Sequence, residues 1–283
     1  MSLARDGFFS SDVEASAAEA LRHFAPKVVE FTLRVNRVAI AVARVPRDLQ
    51  QRDADLFAAA LLARVIQDFE GAVILAARGL RAQSRALARS TFESALYCAA
   101  ASRDLVLAKG ATRKPKKDVT PTTRFVEAIE GGHQRFRAHV ATALQAMPDL
   151  PTEQVATLRR LLDEVGTPSQ HQDIDLRGLA DDLGLDQLFT IVYRPLSQDA
   201  HPSATSLEHH LELTAEGKIA GLRIGPDFTQ FADTLMLAVC SILLALDAYL
   251  DRFGTTAEKQ EMQALAAAYR ELNEGSSEVP GSH

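Results

Sequence analysis

Residues 56–78 read "LFAAALLARVIQDFEGAVILAAR". Wound at 3.6 residues per turn, the stretch is apolar on nearly every face, with Arg64, Gln67, Asp68, Glu70 and Arg78 as its charged or amide interruptions. A helix with so wide an apolar surface cannot lie on the outside of a protein, because a surface helix needs only one apolar stripe. It predicts a central helix over 48–78, packed on several sides. Residues 235–246, "LMLAVCSILLAL", supply a second helix of the same kind within 226–253. That apolar run falls short of the roughly 20 residues that cross a bilayer and is closed by Asp233 and Asp247, so it is expected as a core helix. The fold class that follows is all-α.

Working outward, Ser11 and Glu14 have capping-box spacing for a helix over 12–24, and Pro26 restarts the chain into a helix that reaches about 44, before Pro46. Further helices are predicted at 80–104, 122–146, 152–165, 175–183 and 256–273, with turn-forming "MPDLPT" and "GTPSQHQD" between the middle ones. "LELTAEGKIAGLRIGPD" differs in kind, since "EG" between short alternating stretches predicts a β-hairpin. The expected architecture is a bundle of about eight to ten helices with one small β-hairpin near 211–225. At 283 residues and 47% hydrophobic content, residues 1–283 can form a single helical domain. The polar loop 109–121 is a candidate internal boundary, and the tail 274–283 is expected to be disordered.

The formal net charge of -6 excludes a global basic field of the kind that drives non-specific nucleic-acid binding, so any RNA contact would need a local patch. The basic run 113–117, "RKPKK", has no aromatic residues between its charges on which bases could stack. The first twenty residues lack the charged start and apolar run of a signal peptide. Cys98 and Cys240 have no metal-ligand spacing and are expected as two buried thiols. These features point to the cytoplasm and to no membrane partner. Glu130 and His133 share the Glu-x-x-His spacing of di-iron bundles, but such a site needs a second copy and two more carboxylates. With no P-loop, GxGxxG, nucleophile elbow or HExxH, no metal or cofactor is expected.

Two polar constellations stand out against this background. In "RAQSRALARSTFESALYCAA" (81–100), Arg81, Arg85, Arg89, Glu93 and Tyr97 recur every four residues along one helical stripe. Arg81 and Arg85 are expected to be solvated. Arg89 and Glu93 stand among large apolar residues, where a charge must be paired, either as an internal staple or as one wall of a site. The second constellation is "YRPLSQDAHPSATSLEHH" (193–210). If 187–196 is helical, Pro195 and Pro202 force a bend that aims Ser197, Asp199 and His201 at one small volume; alternatively they form a turn that only caps a helix. Ser203 to Glu208 is expected to begin another helix, with His209 and His210 on its surface. Stripe and turn are each too polar to be buried alone, so they are expected to meet.

"LARSTFESALY" (87–97) followed by "YRPLSQDAHPSATSLEHHL" (193–211) resembles an uncharacterised bacterial all-helical family, DUF5677, over roughly 50–250. The resemblance implies an Arg and Glu on one helix and a Ser…His-Pro-Ser turn as recurring polar features, matched by Arg89, Glu93, Ser197, His201, Pro202 and Ser203. A looser resemblance is to the HEPN ribonucleases of toxin–antitoxin and antiphage systems, whose site is an Arg followed four to six residues later by a His. Arg194 and His201 are separated by "PLSQDA", with Pro195 directly after the Arg. That resemblance implies a metal-independent endoribonuclease in which His201 is the general acid/base at a ribose 2′-OH and Arg194 stabilises charge on the phosphate.

Two functional classes are therefore carried forward. One is a HEPN-like RNase of phage defence, with catalytic Arg194 and His201, RNA as substrate and an antitoxin or defence component as partner protein. The other is a non-catalytic helical ligand-binding or assembly protein, in which Arg89, Glu93, Tyr97, Tyr193, Ser197, Asp199 and Ser203 form a binding or structural cluster. Two broadly apolar helices in one chain also point to a homodimer, which for a nuclease would join two Arg/His pairs in one cleft.

Overall fold

The computed structural model describes residues 6–49, 53–103, 175–200 and 207–276, with isolated residues at 142, 155–156 and 159. The chain divides into two compact units, one of residues 1–103 and 183–283 and one of residues 104–182. The candidate boundary loop 109–121, the basic run 113–117, Glu130 and His133 lie outside the described residues.

In the first unit, a 3-10 turn at Gly7–Phe9 leads into α1 (Val13–His23), α2 (Pro26–Arg44), α3 (Asp53–Ala77) and α4 (Arg81–Ser102). The second unit contributes α5 (Leu176–Asp182), in which Leu179 and Ala180 are buried. The first unit resumes with α6 (Asp186–Leu188), a π turn at Phe189–Tyr193, α7 (Arg194–Ala200), the strands β1 (Leu211–Leu213) and β2 (Ile219–Leu222), and then α8 (Phe231–Phe253) and α9 (Thr256–Ser276). The protein is all-α with one small antiparallel hairpin, in which Leu211 pairs with Leu222 and a bulge follows Glu212. The last turn of α9 extends past 273, and the tail beyond 276 is outside the described residues.

The core is built where α3, α4 and α8 pack on one another, with α2 against α8. Leu62, Val65 and Phe69 of α3, Phe92 and Leu96 of α4 and Ile242 and Leu246 of α8 are at most 1% exposed. By length and composition α8 could cross a membrane, yet 72% of its most apolar stretch is buried inside the protein, so it is a core helix. Small residues let α3 and α4 approach closely. A Cβ on Gly71 would come within 2.8 Å of Leu87 Cδ1, and Ser84 Oγ donates to the Ala72 carbonyl at 2.8 Å.

Gly79 makes the α3–α4 turn. Gly79 N–H bonds the Ala76 carbonyl at 2.9 Å and Leu80 N–H bonds the Leu75 carbonyl at 3.0 Å, the paired pattern of a Schellman ending, which needs the left-handed φ of +71° found here. Its carbonyl accepts Asp227 N–H at 2.9 Å, and a Cβ at this position would lie 2.6 Å from Pro226 Cβ. Gly79 thus ties the start of α4 to the segment that follows the hairpin.

Several local expectations are corrected. Ser11 does not cap α1: Ser10 Oγ accepts Asp12 N–H at 3.0 Å, and Glu14 pairs instead with Arg78. Helix α8 begins at Phe231 rather than 226, after Asp227 closes a turn by accepting Thr229 N–H at 2.8 Å. Cys98 is buried but Cys240 only half-buried. Burial pushes the Cys98 thiol up to about 12, which keeps it neutral and unreactive. The bend expected between Pro195 and Pro202 reaches residues outside the described ones, and Pro195 itself does not end the helix. It lacks the N–H that a regular helix would donate to residue 191, and the wider π turn just before it lets the helix run on to Ala200.

Candidate functional site

The stripe on α4 and the turn at 193–200 meet. Arg89 donates to Glu93 at 2.8 Å and to Tyr193 Oη at 2.8 Å, and its guanidinium lies 5.0 Å from the centre of the Tyr193 ring. Tyr193 is stacked on Phe189 at 4.5 Å, and both rings pack against the fully buried Phe92. The π turn and the aromatic layer together fix the phenol over Arg89. Tyr97 is half-buried one turn beyond Glu93. Ser197 Oγ is buried, with no hydrogen-bond partner among the described residues. Arg194 is exposed. His201, Pro202 and Ser203 lie outside the described residues.

The larger node was misread in the sequence. Arg81 and Arg85, expected on a solvated face, are only 9% and 4% exposed. Arg85 is held by Asp199 Oδ2 through its Nε, by the Pro195 carbonyl at 3.1 Å and by Thr234 Oγ1 at 3.3 Å. Arg81 reaches Asp199 Oδ1 at 3.5 Å, Gln230 Oε1 at 2.8 Å and Asp227 Oδ2 at 3.9 Å. Asp199 therefore receives one guanidinium on each oxygen. Two cations one helical turn apart repel each other, and they tolerate burial here because the carboxylate from α7 is buried with them. Burial lowers the affinity of the Arg81 guanidinium for its proton, Asp199 and Asp227 oppose that shift, and Arg85 adds to it.

Beside this node is a cavity of about 240 Å³. Arg81, Asp199, Asp227, His209 and Arg223 supply its polar wall, and Phe8 and Ile224 apolar wall. His209, expected on the surface, is half-buried at its edge, while His210 is exposed. Partial burial and the nearby Arg81 lower the His209 pKa, favouring the neutral imidazole. For Asp227, burial acts to raise the pKa, but hydrogen bonds from Thr229 and the charges of Arg81 and Arg223 outweigh it and lower the value. A depressed carboxylate stabilises the fold above its unfolded pKa and loses that contribution as pH falls through the folded one. The Asp227 contacts are thus expected to weaken only under acid conditions, measurable as a drop in melting temperature below about pH 4.

Arg81, Arg85, Asp227 and Gln230 were missed because nothing in the local pattern of α4 separates a buried Arg from a solvated one. The available signal was Asp199, an acid in a proline-braced turn that needed a cationic partner. No curated protein and no solved structure matches the chain. A family model described as "Family of unknown function (DUF5677)" matches residues 55–219, which takes in α3, α4, the π turn and the hairpin's first strand. The chain belongs to the family of unknown function DUF5677.

Proposed function

We propose that the protein is a non-catalytic helical binding protein, in which the Arg/Glu/Tyr/Asp cluster braces the fold and the adjoining cavity seats a ligand. The observation that carries this reading is Asp199. Both of its oxygens are engaged by Arg81 and Arg85, so the acid of the turn holds structure together and is not free to act as a base. A cavity beside a rigid charged node, part polar and part apolar in lining, is the usual build of a small-molecule seat. The test is incubation of the purified protein with single-stranded RNA, alongside growth of cells overexpressing it. Intact RNA and normal growth are expected. RNA cleavage abolished by Arg194→Ala and by His201→Ala would overturn the reading.

A nuclease remains the second reading, favoured by one observation: Arg194 is exposed at the head of α7, where a phosphate could reach it. In that case His201 is the acid/base at the 2′-OH, Arg194 stabilises the phosphate charge and no metal takes part. Defence or antitoxin partners belong to that reading alone. Cytoplasmic location belongs to both, supported by Cys98 and Cys240 standing as unpaired thiols. We extend the proposal to a homodimer, supported by Leu213, Ile219 and Leu222, each more than half exposed on an open two-stranded sheet. Light scattering checks this, and a mass near the 30.8 kDa of one chain across micromolar concentrations removes the dimer.

A further inference from the structure

We infer that the apolar face of the β-hairpin is the seat of a second copy of this chain, and that the copy seated there closes the mouth of the cavity. This rests on the homodimer proposed above and names the surface that makes it.

Residues directly opposite in an antiparallel pair share a face, so Leu211 and Leu222 lie on one side of the ribbon, with Leu213 and Ile219. The bulge after Glu212 is what keeps Ile219 and Leu222, three residues apart, on that same side. Ile224, two residues past Leu222, follows the alternation. Glu212 and Gly221 make the other side, where a Cβ on Gly221 would come within 3.3 Å of Glu212 Oε2. The aliphatic side carries no charge, and Leu213, Ile219, Leu222 and Ile224 are 57% to 81% exposed on it.

A two-stranded ribbon is marginal in water unless its apolar face is packed. Here the strands pack chiefly on each other, so that face has no cover among the described residues. Four large aliphatic side chains side by side reach a few hundred Å², about the largest contiguous apolar patch that a monomer ordinarily carries.

The contact is through the face and not along an edge, because both edges are charged. Glu212 and Glu216 belong to the β1 side, and Lys218 and Arg223 flank β2. These four charges cancel, so two ribbons brought together do not repel each other. An isologous contact presents each uncharged aliphatic face with one identical to it, which is the complement such a face requires. The area fits a reversible dimer. Two ribbons stacked about 10 Å apart bury roughly half of the ~800 Å² per partner of a standard interface, which supports association in the micromolar range.

The seat reaches the cavity. His209, His210, Arg223, Ile224 and Gly225, from the two ends of the hairpin, form one of its walls. Ile224 lines the cavity while being 81% exposed, which places it at the mouth. A second copy that covers Ile224 therefore narrows the way in.

Sedimentation equilibrium of the full chain across micromolar concentrations tests the inference. The mass is expected to rise from the 30.8 kDa of one chain to twice that value. Ile219→Lys and Leu222→Lys each put a charge into the face and should weaken association by about tenfold or more, while Arg64→Gln, on an exposed face of α3, leaves it unchanged. Should a lysine variant fail to fold, as judged by circular dichroism, Leu222→Ser decides. The imidazole resonances of His209 and His210 should move between dilute and concentrated solutions of the native chain and stay fixed in Leu222→Lys. A mass near that of one chain at every concentration would overturn the seat and the homodimer together. A dimer indifferent to the folded Ile219 and Leu222 variants keeps the homodimer and overturns the seat. A dimer that these variants break, but whose formation leaves His209 and His210 unmoved, overturns the closing of the cavity. The RNA assay tests the binding-protein reading separately, whatever the mass.

Discussion

Replacing Asp199 by Ala is expected to lower the unfolding free energy by about 3–5 kcal/mol, the range for removing one partner of a buried ion pair. The cause is not the loss of two attractions as such. Arg85 and Arg81 are left as like charges in a space where they are 4% and 9% exposed, and neither can turn out to water without abandoning Thr234, the Pro195 carbonyl or Gln230. Urea denaturation reads the effect as a fall in midpoint at constant slope. The pair Arg34–Glu261 is an internal control, since both side chains are more than 40% exposed and Glu261→Ala is expected to cost less than about 1 kcal/mol. Similar costs for Asp199→Ala and Glu261→Ala would show that the node is far wetter than its geometry implies.

Phe92→Ala is expected to cost about 3–5 kcal/mol, the range for emptying a fully buried aromatic position. Phe92 is 0% exposed, with ring centroids 6.4 Å from Phe189 and 6.3 Å from Tyr193. The residues it supports form the π turn, so the loss does not stay in the core. Without that ring the Phe189–Tyr193 stack has no floor, and the Tyr193 hydroxyl is no longer held against Arg89. Tyr193→Phe removes only the hydroxyl and is expected to cost about 1–2 kcal/mol, since the bond lost is to a charged group. The same urea measurement ranks the two. Equal costs would mean that Phe92 stabilises the protein only through the Arg89–Tyr193 bond.

The helices were legible because hydrophobic periodicity is a local property. The breadth of the apolar face at 56–78 placed α3 at the centre, and Pro26, Pro46 and Gly79 marked ends that chain stereochemistry alone imposes. The hairpin was legible from "EG", where Gly217 takes a φ of +75°. Long-range choices were not legible. Glu14 abandons its own helix N-terminus for Arg78, 64 residues away, and no rule of local spacing anticipates that exchange. The π turn that accommodates Pro195 inside a helix has no signature in the local sequence.

The candidate site shows the same division. Arg89, Glu93 and Tyr193 stood among bulky apolar neighbours, which signalled burial. Arg81 and Arg85 are flanked by Ala82, Gln83, Ser84 and Ala86, residues that suit a surface as well as a tight helix contact. What buries them is the arrival of α7 and the start of α8, carrying Asp199, Gln230 and Thr234 from more than a hundred residues away.

The account turns on Asp199 as the buried anchor of two guanidinium groups, and ¹⁵N–¹H correlation spectroscopy observes arginine Nε–H groups directly. The Arg85 Nε–H, bound to Asp199 Oδ2, is expected downfield and slow to exchange with water, while that of Arg64, on an exposed face of α3, exchanges fast. Asp199→Asn should move the Arg85 signal and hasten its exchange, and leave that of Arg64 where it is. An Arg85 Nε–H that exchanges as fast as that of Arg64, or that ignores Asp199→Asn, would contradict the account.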